Sequence, residues 1–119
     1  MERFQLTRAN TVLGVVTHAP EERVDGGTPW DVGWLEPAPE FDAVRQLFER
    51  EQQLFDEAVR LEVEVGDSGS TTEPARLLDQ AAELQREIMR PGVQFVYLSN
   101  GKRFDVDELH VQGAKVIWR

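Results

Sequence analysis

Glu51 is the side chain whose placement most invites chemistry. Over residues 39–61, PEFDAVRQLFEREQQLFDEAVRL, a rotation of about 100° per residue gathers Phe41, Val44, Leu47, Phe48, Leu54, Phe55, Ala58 and Val59 on one arc. Glu51 falls in the middle of that arc. A carboxylate there is costly unless it is paired, hydrogen-bonded, protonated or open to a wet cleft. Glu51 is therefore the candidate general acid or base, and its structural alternative is a satisfied glutamate at a helix–helix or subunit contact.

Partners for it are few. Asp105, Asp107, Glu108 and His110 in DVDELH form the densest set of acid–base and metal-ligating side chains, and Asp105 and His110 are the candidates for a second acid–base group. The set lacks calcium-loop spacing and the paired histidines of a zinc protease, so no metal site is assigned. His18 and His110 are the only histidines and there is no cysteine, which excludes a thiolate nucleophile, a thiolate metal site and a disulfide framework. No serine sits in a nucleophile-elbow context. Gly26-Gly27 and Gly66-x-x-Gly69 lack the lysine and helix start of a phosphate loop, and no cofactor is expected.

A second constellation is aromatic. Trp30 and Trp34 stand four residues apart in an irregular stretch, residues 18–39, punctuated by Pro20, Gly26-Gly27, Pro29, Gly33, Pro37 and Pro39. Two indoles in a long loop offer wide, flat contact area with one donor each. Together with Phe48, Glu51 and Phe55 they would line a pocket for a small or cationic ligand.

The elements that must position these residues follow from period and punctuation. Pro39 suits a first helical turn, and Glu40 and Asp42 set negative charge against the helix's positive end. The end of that helix is open, since Leu61, Val63 and Val65 alternate with Glu62 and Glu64. After the flexible stretch Gly66–Thr72, a second helix runs from about Pro74 to Arg90, with Thr72 as cap and Pro91-Gly92 as stop. Gln85 falls on its apolar face among Leu77, Leu78, Ala81, Leu84, Ile88 and Met89. Antiparallel packing of the two helices would bring Gln85 within hydrogen-bonding reach of Glu51.

Strands flank the helical pair. Phe4 and Leu6 alternate with polar neighbours, and TVLGVVT at residues 11–17 is β-branched, which predicts a hairpin turning at Arg8-Ala9-Asn10. Gly14 within the second strand marks a bulge, a bend or a close approach by other backbone. Beyond the helices, residues 93–98, 103–106, 109–111 and 115–118 read as a meander, with Asn100-Gly101 as its strongest turn signal. The tail LHVQGAKVIWR resembles the second signature of Sm-like RNA-binding barrels: an aliphatic strand, an arginine-glycine turn and another strand. Gln112 stands where that signature has arginine, and two helices separate the tail from the N-terminal strands, so neither that fold nor RNA binding is carried over.

The charge points the same way. A net charge of −9 repels phosphate backbones. Nine of the carboxylates lie in residues 36–64 against three arginines, a field that favours cationic partners or solubility. No apolar run spans a membrane, and MERFQLTRAN lacks the core of a signal peptide, so neither a membrane nor a nucleic-acid partner is expected and the compartment expected is the cytoplasm.

These readings converge on an α+β domain over residues 1–119, an antiparallel sheet of N-terminal hairpin and C-terminal meander, packed on one face by two antiparallel helices. A non-catalytic binding or interaction module is the leading expectation. A small enzyme using Glu51, and a purely structural oligomeric adaptor, are the alternatives. The first helix's apolar arc covers nearly half its circumference, wider than the roughly 100° needed to face one sheet, which predicts a homodimer or higher even oligomer.

Overall fold

The computed structural model describes residues 2–22, 30–65 and 72–119, with 62–65 and 72–73 as backbone only. Seven antiparallel strands form one sheet, and two helices pack against it. The strands are β1 (Arg3–Arg8), β2 (Thr11–His18), β3 (Asp31–Pro37), β4 (Val93–Tyr97), β5 (Arg103–Asp105), β6 (Leu109–Gln112) and β7 (Lys115–Trp118), in the order β5-β4-β1-β2-β3-β7-β6. The four C-terminal strands thus divide into two hairpins, one on each side of the N-terminal strands.

The β1–β2 hairpin turns at Ala9 and Asn10, both left-handed, as a two-residue hairpin turn demands. Its register slips between Leu6 and Thr7, opposite Leu13 and Gly14. A Cβ on Gly14 would stand 2.5 Å from the Glu36 carbonyl oxygen, so the glycine admits the backbone of β3.

β3 corrects the expectation of a continuous loop over residues 18–39. It pairs with β2 on one side and β7 on the other, joining the two halves of the sheet. Gly33 and the flanking prolines hide it in the sequence, yet the glycine is what the strand requires. A Cβ there would lie 2.6 Å from Val16 and 2.7 Å from the Thr17 carbonyl. Gly26-Gly27 and Pro29 lie outside the described residues.

The sheet is strongly curled. Phe95 on β4 and Trp118 on β7 meet edge-to-face with ring centroids 4.8 Å apart, although three strands lie between them. In a flat sheet those strands would be about 19 Å apart, at about 4.8 Å per step. Residues 106–108 strap the gap: Val106 N–H donates to the Val93 carbonyl, and Asp107 and Glu108 N–H donate to the Arg119 carbonyl. Inside lies one cluster of Phe4, Leu6, Leu13, Val16, Leu35, Phe95, Leu109, Val116 and Trp118, joined by Phe41, Phe48 and Ile88 from the helical segment.

The predicted first helix is broken. Pro39–Ala43 forms a 3-10 turn that buries Phe41, and α1 (Arg45–Val65) follows, continuing through the ambiguous residues 61–65 as helix. α2 (Thr72–Met89) runs back antiparallel. The connection at 66–71, where a cap would sit, is outside the described residues. Only the sheet-proximal ends of the helices, at Val44, Leu47, Phe48, Ile88 and Met89, join the sheet's core. Farther out, Leu54, Ala58, Leu77 and Ala81 form a separate small cluster with Leu61, Leu78 and Leu84. The helical hairpin therefore projects, and the molecule measures 54 × 30 × 20 Å. Among the described residues no helix is long and apolar enough to cross a membrane.

Candidate functional site

Where the hairpin leaves the sheet, three elements converge on Glu51. α1 supplies the carboxylate, α2 supplies Gln85, and the edge strand β6 supplies Leu109 and His110. Leu109 and Val111 point into the core, so the alternation of β6 sends His110 the other way, toward α1. His110 Nδ1 lies 2.7 Å from one Glu51 oxygen, and Gln85 Nε2 donates to the other. Glu51 is only 3% exposed. Its side chain is nonetheless fully partnered.

Gln85 does more than hold the carboxylate. Its Nε2 also donates to the Leu109 carbonyl at 2.9 Å, and its Oε1 accepts the Leu109 N–H at 3.0 Å. In an antiparallel ladder alternate residues of an edge strand turn both backbone groups outward. Here one amide side chain supplies both partners that a neighbouring strand would have given, which blunts the edge.

The other face of His110 is equally occupied. Nε2 lies 3.2 Å from Glu108, whose second oxygen accepts from Arg119 at 2.7 Å. The Trp30 ring lies 5.7 Å from the imidazole, and the Arg119 guanidinium sits 4.5 Å over that same indole. Burial alone would lower the His110 pKa, but the hydrogen bond and charge of Glu51, and then those of Glu108, carry it above its ordinary value of 6.5. Burial would likewise raise Glu108, but hydrogen bonds from Arg119 and His110 outweigh it and its pKa falls below 4.5. These shifts favour the protonated ring, in which both nitrogens donate to the two carboxylates. Such a ring has no lone pair to offer a substrate.

The remaining candidates lie apart. Asp105 is on β5, the opposite edge strand from β6, exposed and bonded to Gln94 at 2.8 Å. Phe48 is sealed in the core, stacked on Phe41. Trp34 is 45% exposed on β3, opposite Lys115 and Thr17 of the neighbouring strands. Phe55 is 49% exposed on α1. Of the five proposed pocket residues, the structure connects Trp30 with Glu51, through His110. Glu51 and Glu108 bond to opposite sides of one ring, and among the described residues no cluster of three or more His, Asp and Glu is arranged to hold a metal ion.

Two features carried little signal in the sequence. The pairing of Gln85 with Leu109 could be suspected from a polar residue on an apolar face, but its strand partner depends on sheet order. Glu108 and Arg119 join the network only because the 106–108 strap brings them together. Comparison with protein-family models, curated proteins and solved structures finds no match.

The hairpin presents two unlike faces. Leu54, Ala58 and Leu61 of α1 meet Leu77, Ala81 and Leu84 of α2 in seams spaced four and three residues, as in a short antiparallel coiled coil. With about 100° per residue and seams face to face, Phe55 and Val59 share a side with Ala75, Leu78 and Ala82. Phe55, Val59, Ala75 and Ala82 are exposed. Arg50, Gln80, Glu83, Arg86, Glu87 and Arg90 line the opposite side.

Proposed function

We propose that this chain is a non-catalytic interaction module, a homodimeric adaptor whose curled sheet holds out a helical hairpin that pairs with a second copy through its apolar face. The observation that carries the reading is the exposure of Phe55 and Val59, at 49% and 44%, one turn apart on α1. Bulky side chains on α1 lie beside the small Ala75 and Ala82 of α2, so the same face supplies both knobs and holes, as a two-fold contact between identical surfaces requires. The hairpin also needs a second layer. Among the described residues its buried core is Leu54, Ala58, Leu77 and Ala81, with Leu61, Leu78 and Leu84 only partly covered, and helical pairs draw most of their stability from such packing.

An enzyme built on Glu51 has less in its favour. The carboxylate is sealed, both its oxygens are engaged, and both nitrogens of the ring beside it are occupied by carboxylates. Because Glu51 is bound within its own chain, Phe55 and Val59 rather than Glu51 belong at the two-fold axis.

Light scattering at micromolar concentration tests the reading. The expected mass is two chains for the native protein and one for Phe55→Glu/Val59→Glu, with unchanged circular dichroism. A one-chain mass for the native protein would overturn it.

A further inference from the structure

On the side of the hairpin away from Phe55, a groove of about 660 Å³ runs between α1 and α2 near the sheet. Leu54 and Leu84 give it an apolar floor, and Arg50, Arg86 and Arg90 reach it from both banks with Gln80. Three arginines gathered in a chain of net charge −9 are unexpected on charge balance alone. Their pairing is more informative. Arg3, Arg8, Arg45, Arg60, Arg76, Arg86, Arg103 and Arg119 all have partners within the protein. Among the described residues, Arg50 and Arg90 are the arginines whose guanidinium groups have none.

Helix electrostatics explain only part of this. Arg86 and Arg90 lie at the C-terminal end of α2, where the helix dipole favours cations. Arg50 lies early in α1, toward that helix's positive end, where the dipole gives a cation no help. Its position across the groove from Arg90 is the feature that calls for a ligand.

We infer that this groove is a binding site for a small phosphate monoester, its phosphate held by Arg50 and Arg90 and its organic body laid on Leu54 and Leu84. A guanidinium offers a planar pair of donors that matches a phosphate edge, and two unpaired forks on opposite banks can grip one phosphate together. Arg86 adds charge, although its contact with Glu83 at 3.8 Å already occupies it in part. Glu83 and Glu87 also line the groove and oppose a ligand of high negative charge. They repel an extended polyanion such as a nucleic-acid backbone more than a single phosphate. The site lies on the face opposite the dimer surface, so the two are separately testable.

The experiment is a nuclear magnetic resonance titration of the full chain with phenyl phosphate and with inorganic phosphate, at fixed ionic strength against chloride. The expected result is saturable shifts at the Arg50, Arg86 and Arg90 side-chain N–H signals, with phenyl phosphate binding the tighter of the two. Arg50→Gln/Arg90→Gln, both on exposed positions, keeps the native mass and fold and weakens binding by about tenfold or more. Shifts that rise linearly and match chloride overturn the proposal. So does saturable binding that the double substitution leaves unchanged.

Discussion

The curled sheet and the projecting hairpin solve the burial problem in opposite ways. The sheet closes on itself: strands four positions apart bring Phe95 and Trp118 into contact, a backbone strap seals the gap, and the aromatic cluster of Phe4, Phe95, Tyr97, Phe104 and Trp118 leaves little apolar surface inside uncovered. The hairpin leaves Phe55 and Val59 in solvent. Charge divides along the same line, because residues 38–90 hold thirteen of the twenty-two carboxylates against six of the thirteen basic side chains. The sheet fills its inner face and leaves Trp34 and Leu98 exposed singly outside it. The hairpin is highly charged and exposes Phe55 and Val59 one turn apart on a single face, as the proposed pairing with a second copy requires.

Substitutions should separate the two regions by size of effect. Phe95→Ala opens a cavity in the closed cluster and should lower global stability by roughly 4 kcal/mol in denaturant unfolding. Phe55→Ala, on the half-exposed face, should leave the unfolding of the isolated subunit within about 0.5 kcal/mol of native. Equal losses at the two positions would break the contrast between a sealed core and an open face.

The joint between the regions comes next. His110→Ala removes the cationic partner of a buried carboxylate and should cost roughly 3 kcal/mol. His110→Ala with Glu51→Gln should recover much of that loss, because no unpaired charge remains and the amide can still bond Gln85. The pH dependence has a definite sign. His110 is raised in the folded chain, so its contribution is fully present below 6.5 and is lost as pH rises through the folded value. Glu108 is lowered, so its contribution is present above 4.5 and is lost as pH falls through its folded value. Between those limits the joint is strongest. Thermal melting should therefore fall from mildly acidic to alkaline pH in the native protein and change less in Glu51→Gln. A native profile flat across that range would remove the ion pair from the account.

How much of this the sequence disclosed depends on how local each feature is. Both helices, the Ala9-Asn10 turn and the C-terminal strands are written in period and punctuation, and the bond between Glu51 and Gln85 could be expected because each interrupts an apolar face. β3 was hidden because Gly33 and its prolines look like loop punctuation, while the reason for the glycine, contact with Val16 and Thr17, lies 16 residues or more away in the chain. His110 is 59 residues from Glu51, and its approach depends on sheet order and on the parity of an edge strand. Neither is encoded locally. Arg119 joins the joint only through the 106–108 strap, for which the sequence offers no pattern.

Amide hydrogen exchange as a function of protein concentration tests the central claim most directly, since it reads the two regions in one sample. If the hairpin is completed by a second copy, protection in residues 54–61 and 74–84 should rise with concentration across the dissociation range while protection in β1, β2 and β4 stays constant. Hairpin protection that is independent of concentration, and unchanged in Phe55→Glu/Val59→Glu, would contradict it.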